Sequence, residues 1–363
     1  MVSFKINDAE SNGGRLSWLD FYRGVAIFLV VLVHIGQSFN ADVFHYLTAW
    51  GQYGVQLFFC ISVYTITLTH PAVRGVLDSR SHFSWMCRRI FRILPLYILA
   101  AIIFPCLRYL LYVLNLSSTS PPTLFDIGLN FFLLNSFSAS AINSVVPGGW
   151  SISIEFLVYM LAPVIIFCQR RHIWSSMLVL GFVLSYALFA YTLGVGLRPE
   201  NNSFFFYWPP LQILVFVIIF YLQNYIVRFF VSDYIKIILF AIFFASTLMF
   251  GVVGELNHAL AAIFSGVAFA FLIDTKSYVL QWVNSRFFDV FVVVGRLSYA
   301  IYIFHFLYVL TTRKLINPDS SLMFFPLLVG CFIFTVPLAI LSKVYIETPM
   351  IKLGKKISAL MCP

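Results

Sequence analysis

Charge is scarce in this sequence: 10% of its 363 residues are Asp, Glu, Lys or Arg, against about 25% in soluble globular proteins. This balance excludes an ordinary soluble domain. The six cysteines form no CxxC pair and no metal-ligand spacing, and most lie in apolar runs. We therefore interpret them as small hydrophobic residues and predict neither a disulfide framework nor a metal site. The polar start and the lack of a small-residue cleavage motif predict no cleavable signal peptide.

Apolar runs are abundant, since 61% of the residues are hydrophobic and the mean hydropathy is +0.92. A membrane-spanning helix needs about 20 mostly apolar residues. The sequence therefore predicts an all-α fold, a polytopic transmembrane helical bundle with about ten transmembrane helices, as a single membrane-embedded domain over residues 1–363. The predicted spans, of which the eighth is the shortest, are residues 19–39, 50–69, 93–114, 150–168, 174–194, 209–227, 235–253, 258–273, 296–312 and 322–343.

The segment between the third and fourth spans, Ser117–Trp150, is too broken to cross a membrane. It begins with turn formers, contains a half-length apolar piece (Ile127–Phe137) and ends in Pro-Gly-Gly. We expect a re-entrant or interfacial element here.

The basic residues are distributed unevenly over the predicted loops. With a cytoplasmic N-terminus, 19 of the 23 Lys and Arg residues lie on the inner side, and four (Arg108, Arg198, Arg313 and Lys314) lie outside. This positive-inside bias predicts that both termini, residues 1–18 and 344–363, are cytoplasmic tails. The net charge of +9 is thereby accounted for by topology and calls for no nucleic-acid partner.

Arg23 and His34 lie at the two ends of the apolar stretch "RGVAIFLVVLVH". Eleven residues make about three helical turns and about 16 Å of rise, so both side chains share one face at two depths. Ionisable groups inside a membrane usually mark function or pairing. The alternatives are an arginine that reaches to the interface and a histidine satisfied in the core.

Two further segments carry charge near the membrane. Arg89 and Arg92 are three residues apart at a predicted helix start, with Arg88 beside them. Their guanidinium groups match phosphate oxygens and could hold a phosphorylated cofactor or a lipid phosphate, although a basic cluster that only sets topology is an equally simple explanation. Glu155 lies about one and a half turns inside the fourth span, where a carboxylate needs a proton, a cation or an imidazole.

A second histidine lies near the middle of the ninth span. His305 follows Tyr302 by three residues, on the same helix face, and a histidine satisfied in the core is the simpler interpretation. Glu347, between Lys343 and Lys352 at the end of the last span, is interpreted as structural.

Several of these segments, in this order, resemble one known family. They are "LDFYRGVAIFLVVLVH", "GVQLFFCISVYTITL", "RRIFRILPLY", "WSISIEFLVYMLAP", "LSYAIYIFH" and "IETP". Over about Leu19 to Pro349 the chain resembles the acyltransferase family 3 membrane proteins, which include bacterial O-acetyltransferases of cell-surface polysaccharide. The most specific features are the Arg-ten residues-His spacing and the Arg-x-x-Arg pair.

The resemblance implies a bundle of about ten helices in the bacterial inner membrane. It implies acetyl-CoA as acyl donor from the cytoplasm, no metal, and a sugar hydroxyl of a polysaccharide or lipid-linked glycan such as O-antigen as acceptor. The family commonly has Ser-Gly where this chain has Ser62-Val63, and often a second acidic residue where it has Phe156. Neither departure removes a proposed catalytic group.

Under this resemblance, Arg89 and Arg92, with Arg88 beside them, hold the CoA phosphates. His34 acts as general base or as a covalent acetyl carrier, and Glu155 or Arg23 orients it. The candidates for acceptor binding or oxyanion donation are His305, Trp150, Ser153 and Tyr302. Trp208 and Tyr207 could stack on sugar rings, although an interfacial aromatic belt explains them better.

Two other classes of protein also fit the residues alone. A transporter or flippase for a glycan or lipid-linked sugar would have broken helices and buried charge, and a non-enzymatic partner in polysaccharide assembly would need neither His34 nor CoA. Binding of acetyl-CoA by the arginine pair distinguishes an enzyme from both.

Overall fold

The computed structural model describes residues 16–37, 50–76, 78–117, 119–171, 173, 181, 207–226, 232–250, 255–275, 286–315 and 323–361. Within these ranges the secondary structure is helical, with no strand. The α-helices are α1 (Ser17–Gly36), α2 (Gly54–Thr69), α3 (Ser79–Val113), α4 (Leu124–Phe131), α5 (Gly149–Arg170), α6 (Pro209–Tyr221), α7 (Asp233–Phe250), α8 (Glu255–Asp274), α9 (Arg286–Arg296), α10 (Ser298–Leu315), α11 (Phe324–Ser342) and α12 (Thr348–Met361).

The predicted count of about ten spans is not confirmed. Within the described ranges, four helical segments are long and apolar enough to cross a membrane: Ser17–Gly36, Ser79–Val113, Gly149–Arg170 and Phe324–Leu360. A fifth is gained if α9 and α10, which meet at a bend of 83°, form one broken span. The predicted span 174–194 lies outside the described residues, apart from residue 181.

The helix that carries the arginine pair begins earlier than predicted. The third span was expected from residue 93, but α3 begins at Ser79 and places Arg89 and Arg92 well inside a helix. Asp78 caps its start by accepting a hydrogen bond from the backbone N–H of Ser81 at 2.7 Å, and neither Gly nor Pro interrupts the chain before Pro95. The polar residues that precede the predicted third span are therefore the first section of one long helix.

The broken segment before α5 folds into short pieces. Its only α-helix within the described residues is α4, which has eight residues and is too short to span a membrane. Its polar groups bond to one another and to α3: Ser140 donates to Asp126 at 2.7 Å and Tyr97 donates to Asn130 at 2.9 Å. The segment ends at Gly148, whose positive φ of 73° leads into α5.

The outer surface is apolar where the long helices face outward. On α11, Phe325 and Ile333 expose 60% and 70% of their surface. Such a surface on a protein in water would mark an interaction site or favour aggregation, whereas lipid chains cover it without penalty. The long apolar helices and this surface are those of an integral membrane protein.

The predicted C-terminal tail contains a further helix, α12, which packs against α3. Ser84 and Ser358 share a hydrogen bond of 2.6 Å between their hydroxyls, and a Cβ on Gly354 would meet the Cβ of Phe91 at 2.5 Å. The five cysteines in the described residues are unpaired, consistent with their interpretation as hydrophobic residues.

Candidate functional site

A cavity opens among α1, α2, α3, α5 and α10, and holds about 770 Å³ of unfilled space, including the part that opens to the outside. Its ionisable lining side chains apart from tyrosine are Arg23, Arg89, Arg92 and Glu155. Hydroxyl groups also line it, from Ser62, Thr65, Ser151, Tyr159, Ser298, Tyr299 and Tyr302. Three guanidinium groups against one carboxylate suit the cavity to an anionic ligand.

Arg23 is held by a buried carboxylate. Its Nη1 donates to Oδ1 of Asp20 at 2.8 Å, one helical turn earlier, and Asp20 Oδ2 also accepts from Nε of Arg296 at 3.3 Å. The backbones of α1 and α9 meet here, because a Cβ on Gly295 would overlap the carbonyl oxygen of Asp20. Asp20, which is 1% exposed, thus fixes Arg23 and joins α1 to the end of α9.

Arg89 is held by a hydroxyl and two aromatic rings. Its Nη2 donates to Oγ1 of Thr69 at 3.0 Å. Its guanidinium carbon lies 5.1 Å from the ring centroid of Trp85 and 5.3 Å from that of Tyr159, in cation–π range. These contacts orient the group without neutralising it.

Arg92 lines the same cavity without a hydrogen bond or ion pair to any residue that the structure describes. Because Arg89 and Arg92 are one turn apart on α3, both guanidiniums reach the cavity. We call Arg23, Arg89 and Arg92 the arginine cluster. Arg88, one residue from Arg89, does not line the cavity: it donates to the hydroxyls of Ser84 and Ser358 and so bonds α3 to α12.

Glu155 accepts hydrogen bonds from the hydroxyls of Ser62 and Tyr159, both on its Oε1. The sequence analysis expects Glu155 or Arg23 to orient His34; the hydrogen bonds of Glu155 within the described residues come from these two hydroxyls. Neither hydroxyl was predicted as a partner of Glu155, although Tyr159 follows Glu155 by four residues on α5 and could have been found by helical spacing. Ser62 lies on α2, and only the tertiary fold brings it there.

The two predicted histidines meet away from the arginine cluster. The ring centroids of His34, on α1, and His305, on α10, are 5.2 Å apart. Phe306 packs against both, at 4.5 and 4.0 Å between centroids. We call His34 and His305 the histidine pair; neither lines the cavity described above.

Tyr302 lies next to both the cavity and the histidine pair. It lines the cavity, and its ring centroid is 5.8 Å from that of His305. Its hydroxyl lies 2.8 Å from the hydroxyl of Ser151 and donates to the carbonyl of Gly148 at 2.9 Å. The cavity lining is therefore connected to His305 through one aromatic side chain.

The other two candidates on α5 lie outside the cavity lining. Ser153 donates to the side chain of Asn135 and to the carbonyl of Gly149, the latter at 3.3 Å. The ring of Trp150 lies 4.7 Å from that of Tyr207 and 6.2 Å from that of Phe59. Both therefore contribute to the packing of the broken segment and of α2 around the site. The ring of Trp208, the other aromatic residue considered for stacking, is half-buried at the start of α6.

Two more histidines lie near Arg89, between α2 and the first turn of α3. His70 Nε2 and His82 Nδ1 are 3.0 Å apart, and His70 Nδ1 accepts from the backbone N–H of Ala72. Burial, with the charges of His82 and Arg89 as smaller causes, lowers the pKa of His70 to about 4. At neutral pH His70 is therefore uncharged and adds nothing to the positive potential of the arginine cluster. Within the described ranges, no three His, Cys, Asp or Glu side chains lie together as a metal site requires.

Comparison with known proteins adds a family to this geometry. The model of a family described as "Acyltransferase domain" matches residues 16–344, nearly the whole chain. No curated protein and no solved structure matches the chain significantly. The matched range includes the arginine cluster, Glu155 and the histidine pair. The chain belongs to acyltransferase family 3 and is a membrane acyltransferase.

Proposed function

We propose that this protein is an integral membrane O-acetyltransferase. It moves an acetyl group from cytoplasmic acetyl-CoA to a sugar hydroxyl of a cell-surface polysaccharide or its lipid-linked precursor, in the bacterial inner membrane. The observation that carries the proposal is one cavity lined both by the arginine cluster and by Tyr302, which lies one helical turn before His305.

The arginine cluster supports a phosphorylated donor. CoA carries a pyrophosphate and a ribose phosphate, and guanidinium groups bind phosphate oxygens through paired, charge-assisted hydrogen bonds. Arg92 makes no hydrogen bond or ion pair with the described residues, so its donors are available to a ligand, and Arg89 is oriented by two aromatic rings. The excess of basic residues in the predicted inner loops supports a cytoplasmic position for the arginine cluster.

The length of α1 supports a reaction centre apart from the phosphates. Arg23 and His34 are eleven residues apart, or about 16 Å along the helix. The extended pantetheine arm of CoA can cover such a distance, so that the charged head stays at the arginine cluster while the thioester reaches past Tyr302.

The histidine pair supplies the chemistry in this proposal. His34 takes the proton of the acceptor hydroxyl as its oxygen attacks the thioester carbonyl. The tetrahedral intermediate collapses with cleavage of the C–S bond, and the imidazolium returns the proton to the departing thiolate, giving CoA and the acetyl ester. The hydroxyl of Tyr302, which donates to the carbonyl of Gly148 in the structure, turns to donate to the thioester carbonyl oxygen as negative charge develops there.

The test combines two measurements on the wild type and His34→Ala at matched membrane levels. Calorimetry with purified full-length protein in nanodiscs measures acetyl-CoA binding, and NMR of isolated surface polysaccharide measures acetyl groups. We expect the wild type to bind acetyl-CoA and to acetylate. His34→Ala should bind it equally well but lose acetylation by about 100-fold or more, because a positioned general base contributes about that much.

Two outcomes would contradict the proposal. A wild type that does not bind acetyl-CoA excludes CoA as the donor and favours a transporter or a non-enzymatic partner. Acetylation that survives in His34→Ala removes His34 from the chemistry.

A further inference from the structure

His305 has an unusual hydrogen-bonding state for a residue that is 0% exposed. Its Nδ1 lies 3.2 Å from the carbonyl oxygen of Ile301, one turn earlier on α10. A carbonyl oxygen only accepts, so Nδ1 carries the proton of the neutral ring and Nε2 carries a lone pair. That Nε2 is buried and has no hydrogen-bond partner among the described residues.

A buried acceptor without a donor destabilises a fold, and most such atoms are satisfied. The ring of His34, whose centroid is 5.2 Å away, brings a second imidazole close to His305 Nε2. A second pair of histidines in this protein shows that a hydrogen bond fits such a distance. The ring centroids of His70 and His82 are 5.3 Å apart, and their facing nitrogens are 3.0 Å apart. The histidine pair is therefore close enough for an N–H···N hydrogen bond to form by rotation of the His34 ring.

We propose that His305 is a positioning residue for His34: its Nε2 accepts a hydrogen bond from the ring N–H of His34 that faces away from the substrates. This rests on the proposed function, in which His34 is the base. A general base must present its lone pair to the acceptor, and a second group that binds its other nitrogen fixes the tautomer that does so. Of the two residues expected in that role, Glu155 is bonded to Ser62 and Tyr159, and Arg23 is bonded to Asp20.

The proton balance of this step is simple. The acceptor hydroxyl gives its proton to the unprotonated ring nitrogen of His34, and the resulting imidazolium carries a second N–H that donates to His305. When the C–S bond breaks, the thiolate takes the proton from the first nitrogen, and both histidines return to their starting forms. His305 exchanges no proton with the substrates and so is not itself a catalytic residue.

Gln37 is the competing candidate for this role. Its side chain hydrogen-bonds to His34, and it lies exposed at the end of α1. Water competes for an exposed amide, whereas His305 Nε2 is sealed from water, so the buried acceptor is the better orienting group.

The test compares His305→Phe, which keeps a ring but has no acceptor, with His305→Gln, which keeps one, and with Gln37→Ala. Each full-length variant is assayed for acetyl-CoA binding in nanodiscs and for acetylation of surface polysaccharide by NMR, at matched membrane levels. We expect His305→Phe to lose acetylation by about 10-fold or more with unchanged acetyl-CoA affinity. His305→Gln should recover part of the loss, and Gln37→Ala should lose less acetylation than His305→Phe. His305→Met replaces the Phe variant if that protein does not accumulate.

The contrary outcomes are separable from failure of the proposed function. If His34→Ala abolishes acetylation while His305→Phe retains it, or if Gln37→Ala causes the larger loss, His305 does not position His34 and the proposed function stands. Equal activities of the Phe and Gln variants would assign His305 to packing alone. If the wild type neither binds acetyl-CoA nor acetylates, the proposed function fails and this inference with it.

Discussion

The arginine cluster and the histidine pair share helix α1, which carries Arg23 and His34, but they lie in opposite surroundings. Around Arg23 and Arg89 the structure has a buried carboxylate, a hydroxyl and aromatic faces, each at hydrogen-bonding or cation–π distance. Around the histidine pair it has the ring of Phe306, a backbone carbonyl and an unsatisfied nitrogen. The first environment holds the guanidinium groups of Arg23 and Arg89 in fixed positions in the absence of a ligand. The second shields both imidazole rings from water and leaves His305 Nε2 as a hydrogen-bond acceptor.

Under the proposed function, this difference separates donor binding from chemistry. Phosphates are bound best by cations that are already oriented, since little conformational entropy is then lost on binding. A general base needs a low-dielectric site that strengthens its few hydrogen bonds. Fixed charges and a low-dielectric base cannot occupy the same place, and the eleven residues between Arg23 and His34 on α1 keep them apart. Variants in the arginine cluster should therefore change donor binding and leave the histidine pair intact, and the reverse should hold for variants in the histidine pair.

The largest loss of acetyl-CoA affinity is expected from a double variant in the arginine cluster, Arg89→Gln with Arg92→Gln. Removing two charged donors to phosphate, each contributing about 1.5–3 kcal/mol, should weaken acetyl-CoA binding by about 100-fold or more. Calorimetry in nanodiscs measures this, with Arg80→Gln as the matched control because Arg80 is exposed on the same helix. Unchanged affinity would show that the cluster is not a phosphate site.

A smaller effect on binding, with a larger one on stability, is expected from Asp20→Asn. The substitution leaves Arg23 inside the protein with an uncharged partner and loosens the junction with Arg296. Loss of one member of a buried ion pair costs about 3–5 kcal/mol; because Arg296 is partly exposed, the lower value is expected. Thermal unfolding in detergent measures it against Asp289→Asn, an exposed site on α9. Equal unfolding temperatures for the two variants would mean that Asp20 does not hold the cluster.

Helical spacing explains which parts of this site the sequence could predict. The eleven-residue spacing places Arg23 and His34 on one helix at two depths, and the three-residue spacing brings Arg89 and Arg92 to one cavity. The partners of these residues lie far along the chain: Arg296 is 276 residues from Asp20, and Ser62 is 93 residues from Glu155. Without an alignment, a single sequence contains no signal for such pairs. Hydropathy likewise missed the start of α3, because the first turns of that helix are polar.

The smallest effect on binding is expected from Arg88→Gln, a residue that the sequence grouped with the phosphate-binding pair. One residue rotates a helix by about 100°, so Arg88 cannot share the direction of Arg89; it bonds to Ser84 and Ser358 instead. We expect acetyl-CoA affinity within about 2-fold of the wild type, and a loss of stability of about 1 kcal/mol from the bonds between α3 and α12. Calorimetry and thermal unfolding measure the two quantities, and Ser358→Ala should reproduce the second without affecting the first. A loss of affinity as large as that of the double variant would place a donor phosphate outside the cavity and extend the binding site to α12.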